Sequence, residues 1–315
     1  MAACFALLAA RSAAAAGYSL VDLGASTDFA EAINSRGDVV GSGDHAFLYS
    51  QGVLTFLPTL RGGTFSTALG VNDRDDVVGF SNTPTVAHAF LYHAGAITDL
   101  GTLGGPFSLA NDVNNAGQVV GVSWDADFRS HPFLYDHGQM TSLGFDGVAA
   151  AINERGQIAG LLYVHPPSAD PFHAFLFTGG QRLDLGTLPG GVLSAAEDLN
   201  DAGQVVGWSR SATSDERAFL YTGGVMHDLG TLGGSTSHAY AINELGQVVG
   251  TSRDARGFPQ AFVWSGGVMR DLNDLVPPIP GGFLWEARGI NDRGQIAAYG
   301  LVDANFHAFL LTPTG

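Results

Sequence analysis

The sequence predicts an all-β fold: a seven-bladed β-propeller of four-stranded antiparallel blades, with the N-terminal strand (18–24) completing the last blade and closing the ring. Three observations carry that prediction. A β-branched or Leu residue followed by Asn recurs seven times, from Ile33-Asn34 to Ile290-Asn291, with intervals between Asn residues of 38, 42, 39, 47, 43 and 48. Every copy but the last holds four short apolar runs separated by turn residues, and four strands per roughly 40 residues is propeller arithmetic. The chain ends also complement each other. The last copy stops after its third run, HAFLL (307–311), while an orphan fourth-run pattern, YSLVDLG (18–24), precedes the first copy. A ring joined there leaves no unpaired sheet edge.

Each run can be justified in chain order. The first ends at the Ile-Asn or Val-Asn step and carries Ala four residues before every Asn: Ala30, Ala68, Ala110, Ala149, Ala196, Ala239 and Ala287. Seven of seven implies a close approach that admits only a methyl, and the expected cause is crowding of the innermost strands around the axis. The Asn opens an Asn-x-x-Gly hairpin turn whose last residue needs positive φ. Gly holds that place in six copies, and Asp75, one of the residue types that tolerates it, holds it in the other. The second run reads DVVG, QVVG or QIAG, and the third HAFLY or close variants. A Gly-containing turn leads to the fourth, such as VMHDL (225–229). Near-continuous apolar runs bounded by Gly are strands buried on both faces. A solenoid would need fewer residues per repeat and distinct polar caps.

Composition limits the functions open to such a fold. The 315 residues carry a formal net charge of −16, and all 14 basic residues are Arg. This surface repels phosphate backbones and anionic lipid, so nucleic acid is not an expected partner. The only cysteine, Cys4, lies in an Ala-rich leader, MAACFALLAARSAAAA (1–16), whose small residues near Ala14–Ala16 suit a signal-peptidase site. Residues 1–16 are thus expected to be an export signal or a disordered leader, and 17–315 a single propeller. The leader is too short and too interrupted by Arg11 to span a bilayer. An exported protein without Cys4 would depend on packing alone.

The recurring HAF, the DLGTLGG of 99–105 and 228–234, and the INxxGQVVG units together resemble the bacterial HAF-family extracellular repeat. The resemblance covers essentially everything after residue 17 and implies an exported, repeat-built protein. It brings no catalytic residues. The chain departs from the pattern at Arg217 and Gln260, which replace the His, at Pro132, which replaces the Ala, and at Ala298, which replaces the Gly.

Candidate chemistry is sparse. The HAF histidines (His45, His88, His131, His173, His307) sit one per blade, so symmetry spreads them instead of converging them. Their Arg and Gln replacements share an N–H donor, which favours a structural hydrogen bond. Gly-x-Ser at 79–81, 121–123, 207–209 and 250–252 lacks the second Gly of a nucleophile elbow. NDRDD (72–76) and DAD (125–127) are fragments of calcium loops without the full alternation of oxygen ligands. No cofactor or metal is therefore predicted, calcium being the one ion to consider.

The loops between second and third strands share a face with the blade crossovers and vary most, and function sits on variable loops held by a rigid scaffold. Trp124, Asp125, Tyr163, His165, Trp208, Arg253 and Phe258 are the expected partner-binding residues there, for a protein or carbohydrate. The leading expectation is a non-catalytic extracellular or periplasmic binding scaffold. The alternative is a hydrolase- or lyase-type propeller enzyme with a site in the axial pocket, where Asp112, Asp198, His238 and Glu286 are the candidates. Most axis positions are expected to carry small residues. A self-associating surface-layer protein is a third reading.

Overall fold

The computed structural model describes residues 17–164, 171–210 and 215–314. Among them are 28 strands and one 3-10 turn, grouped into seven four-stranded sheets. Blades 1 to 6 span residues 29–56, 66–99, 108–142, 147–186, 193–228 and 233–271, each in simple order from first to fourth strand. Blade 7 takes its first three strands from 282–313 and its fourth from Tyr18–Asp22. Tyr18 pairs with Pro313 and Asp22 with Phe309 in antiparallel register, so the N-terminal strand closes the ring.

The Asn-x-x-Gly turns form as their chemistry requires. In blade 6 the Asn243 N–H bonds the Gln247 carbonyl and the Gly246 N–H bonds the Asn243 carbonyl, and the other blades repeat the pair. Positive φ falls on the six glycines and on Asp75 at 61°. Each Asn side chain does more than start a turn. Its Nδ2 donates to the backbone carbonyl of the equivalent Asn in the next blade, from Asn34 to Asn72 and onward until Asn291 reaches Asn34, at 2.9–3.2 Å. Seven buried amides therefore form a closed belt that ties every blade to the next.

The seven alanines have a different cause from the one expected. They face the blade-to-blade layer, not the axis. Across each blade the Ala stands level with a second-strand small residue and a third-strand Phe, as in Ala196–Gly207–Phe219 and Ala239–Gly250–Phe262. These third-strand Phe side chains are fully buried in all seven blades. Residues level across antiparallel strands point to one face, so the small neighbours make room for a ring that lies over them. Burying each such ring contributes about 1.5–3 kcal/mol. A Cβ at Gly41, Gly79, Gly121, Gly160, Gly207 or Gly250 would also overlap the first-strand carbonyl beside it. Blade 7 tolerates Ala298 because an extra irregularity between Leu284 and Glu286 moves that close approach to Gly300.

The HAF and DLG motifs explain each other. His88, His173 and His307 pair through Nδ1 with Asp99, Asp184 and Asp22 of the adjacent fourth strand at 2.8–3.0 Å, and Arg217 pairs with Asp228. His131 turns to Asp125 and Asp146, and blade 1, with no such Asp, leaves His45 Nδ1 buried without a partner. The Gly-x-Ser hydroxyls are equally occupied: Ser81, Ser123, Ser209 and Ser252 accept backbone N–H bonds from Leu60, Leu103, Leu188 and Leu232.

Candidate functional site: the axial lumen

One feature of the first strand breaks the sevenfold regularity. Directly after each buried Ala the pairing register skips one residue, a β-bulge present in every blade. A bulge leaves its extra residue unpaired and re-aims it. The bulged residues are Glu31, Leu69, Asn111, Ala150, Glu197, Tyr240 and Arg288, and all seven line one cavity of about 370 Å³ on the ring axis. The expectation of small axis residues is thus corrected. Within the strands, the lumen is where the repeats differ.

Its polar residues come from blades 5, 6, 7 and 1, with Asn111 and Asp112 added by blade 3. Arg288 Nε lies 3.3 Å from Glu286 and 3.6 Å from Glu31, and its guanidinium sits 4.1 Å over the Tyr240 ring. Glu286 Oε2 and Arg288 Nε are buried yet make no aligned hydrogen bond. Glu197 accepts from the Trp208 indole, and Trp208 stacks on His238 with centroids 5.4 Å apart. His238 Nε2 in turn reaches Glu216 at 3.0 Å. Phe29, Tyr299, Phe306 and Trp285 form an adjoining aromatic wall.

Asp112 and Asp198 follow the bulge and span blade junctions. Each carboxylate accepts its neighbour's N–H and one from the next blade, Ile152 and Ile242 respectively, at 2.7–2.9 Å. Burial pushes the Asp112 carboxyl up to about 6. Burial, with the Asp112 charge adding to it, pushes Asp198 up to about 8. Burial also raises Glu31 and Glu197. Removing a carboxylate from bulk water disfavours its charged form, and here few cations compensate.

The opposite mouth of the ring is built differently. Ile33, Val71 and Ile290, each preceding a belt Asn, line both the lumen and a second cavity of about 340 Å³, so apolar side chains stand between the two. Beyond them the residues after each Asn form a largely acidic rim. There Asp73, Asn115, Glu154, Asp201, Glu244 and Asp292 each accept the backbone N–H of the preceding blade at 2.7–3.0 Å. That rim is occupied by holding the ring together. Among the described residues no cluster of His, Cys, Asp or Glu is placed to hold a metal ion.

The structure brings Asp112, Asp198, His238, Glu286 and Trp208 to the lumen and its entrance. The other loop residues disperse. Trp124 packs edge-on against Phe107 under a crossover. Asp125 caps its own loop through Asp127 and Arg129 N–H and holds His131. Arg253 bonds the Gly257 carbonyl within its loop. Tyr163 borders a shallow cleft with Arg182, while Phe258 is 58% exposed. His165 lies outside the described residues. Glu31, Glu197, Tyr240, Arg288 and Asn111 were not anticipated. Their signal is the position after the constant Ala, which holds six different residue types in seven otherwise matched copies.

No family model and no curated protein matches the chain. Solved structures match its fold at low identity. The β-propeller domain of the Trilobed protease from Pyrococcus furiosus, which has an open velcro topology, aligns with a TM-score of 0.63 and 10% identity over 92% of this chain and 96% of that one. The extracellular domain of a one-component system from B. thetaiotaomicron aligns at 0.56 and 10%, over 93% of this chain and 39% of that one. The acylaminoacyl peptidase of Pyrococcus horikoshii aligns at 0.55 and 10%, over 88% and 49%. These likenesses define the class, a seven-bladed β-propeller. No helix among the described residues is long and apolar enough to cross a membrane.

Proposed function

We propose that this protein is a non-catalytic binding propeller, exported to the periplasm or cell exterior, that captures a small polar ligand in the lumen from the loop face. One observation carries the reading: the bulge aims seven side chains of six different kinds into a single cavity within an otherwise uniform ring. The cavity volume falls in the range of small-molecule sites. The resemblance to HAF-family repeats and the extracellular setting of a similar propeller support export. Trp208, His238, Glu286, Asp198 and Asp112 belong to this site. Trp124, Tyr163 and Phe258 remain candidates for a protein or carbohydrate contact on the outer loops.

The test is a thermal-shift screen of the protein against oligosaccharides, amino acids and amines, repeated with Ala150→Phe, which fills the lumen, and with Trp124→Ala/Phe258→Ala, which strips the loops. Stabilisation lost only in Ala150→Phe supports the lumen. Stabilisation lost only in the loop variant refutes it. A second reading, a hydrolase or lyase in the same cavity, is favoured by its raised carboxyls, which suit proton transfer. Turnover abolished by Glu197→Gln would establish it.

A further inference from the structure

We propose that the lumen's ligand is an alkyl amine cation, of the diamine or aminoalkyl class, held with its ammonium group among Asp112, Glu197 and Asp198 and its methylenes against blades 2 and 4. This rests on the lumen being the binding site. The charge arrangement is the first argument. Four carboxyl groups, those of Glu31, Asp112, Glu197 and Asp198, line the lumen against one guanidinium, which Glu286 also meets from outside the lining. Arg288 is already engaged by Glu31 and Glu286 and by the face of Tyr240. On blades 3 and 5, Asp112 and Asp198 form no ion pair among the described residues, and Glu197 shares only the charge of the already engaged Arg288.

Their geometry is preorganised for a cation. The two Asp groups each use two of about four lone-pair sites on backbone N–H donors, which fixes their orientation and leaves acceptor capacity toward the cavity. Glu286 Oε2 and Arg288 Nε, which make no aligned hydrogen bond, face each other at 3.3 Å as an ion pair, so Arg288 is committed at the cavity's edge and does not neutralise Asp112 and Asp198.

The wall beside and between them is apolar, with Leu69 of blade 2 and Val148, Ala150 and Leu161 of blade 4 lining the same cavity. A sugar would leave its hydroxyls facing these side chains without partners, whereas a methylene chain would lose nothing there. An anion would meet net negative charge. The ligand that satisfies both walls is a cation on a hydrocarbon stem.

Isothermal titration with putrescine, and with 1,4-butanediol and glucose as neutral probes, tests the proposal at constant ionic strength. Putrescine is expected to bind while butanediol and glucose do not. Glu197→Gln should weaken binding by about tenfold or more, the scale of losing one buried charge partner. Ala150→Phe, which leaves every carboxylate in place, should abolish it, and Glu244→Gln on the opposite rim should leave it unchanged. Putrescine binding that survives Ala150→Phe, or falls with Glu244→Gln alone, would place the amine elsewhere on the acidic surface and overturn the proposal. Glucose or butanediol binding that Ala150→Phe removes, with no heat from putrescine, would overturn the amine class yet retain the lumen. No heat from any probe would also overturn the amine class, and the thermal-shift screen with Ala150→Phe would decide the lumen independently.

Discussion

Two neighbouring positions of one strand behave in opposite ways. The residue four before each Asn is Ala in all seven blades, whereas the next residue is Glu31, Leu69, Asn111, Ala150, Glu197, Tyr240 or Arg288. The first faces the layer between blades, where it lies beside a buried Phe and a backbone carbonyl. The second is bulged out of the ladder into the lumen. Close packing admits one solution per site, because interiors are as dense as crystals and a single methylene is felt. A bulged side chain over a cavity has no such constraint. Repetition thus marks what holds the ring together, and variation marks where it can act.

The largest test of that division is closure. Deleting residues 17–24 removes the fourth strand of blade 7 and leaves an open edge, so a marked drop in melting temperature or aggregation is expected. A deletion that melts like the intact protein would contradict closure by this strand. Next comes the interblade layer itself. Gly207→Val places side-chain atoms where the Ala195 carbonyl stands, and should cost more than about 3 kcal/mol in urea unfolding. Ala298→Gly, at the one blade where the approach has moved to Gly300, should cost about 1 kcal/mol or less. Equal effects would mean the close approach is not what selects Gly.

The amide belt should follow. Asn200→Ala loses its Nδ2 bonds to the Asn243 carbonyl and to Gln204, and leaves buried groups unpaired, at a cost of about 1–3 kcal/mol. A loss no greater than that of an exposed Asn, such as Asn305→Ala, would remove the belt from the list of stabilising elements.

A smaller effect concerns pH. Asp112 and Asp198 have folded-state values of about 6 and about 8, above the ordinary range for an unfolded Asp. The folded protein therefore holds these protons more tightly than the unfolded chain, and their contribution fades as pH rises through those values. Depressed carboxyls such as Asp76 titrate lower and contribute no slope there. Melting temperature should fall from about pH 5 to about pH 8, with Asp112 contributing only up to its value of about 6, and fall less in Asp198→Asn. A rise over that window would show the two groups to be ordinary carboxylates. The smallest stability change belongs to Glu197→Gln, within about 1 kcal/mol of wild type, since the lumen is not part of the packed layer. A larger loss would make Glu197 a structural residue.

Much of this architecture is visible in the residues alone. The Asn spacing, the turn glycines with Asp75 among them, and the complementary ends (18–24 and 307–311) determine blade number, strand order and closure. They can do so because turn geometry and strand alternation are local properties that repeat with the chain. The alanines were legible as a steric signal, but their cause was not. Pairing of Ala196 with Gly207 and Phe219 joins residues far apart in sequence, and only register reveals it. The lumen lay further from view. A bulge adds one residue without any change of composition, so variation after the constant Ala singles out Glu197 and Arg288, but nothing local says that this position faces the axis. Trp208 and His238 read as separate loop and strand residues until the ring places blades 5 and 6 side by side. By itself the sequence determined the ring, because each repeat must bury the same faces. Only the tertiary structure decided which side chains share the lumen, because that convergence depends on closing seven blades around one axis.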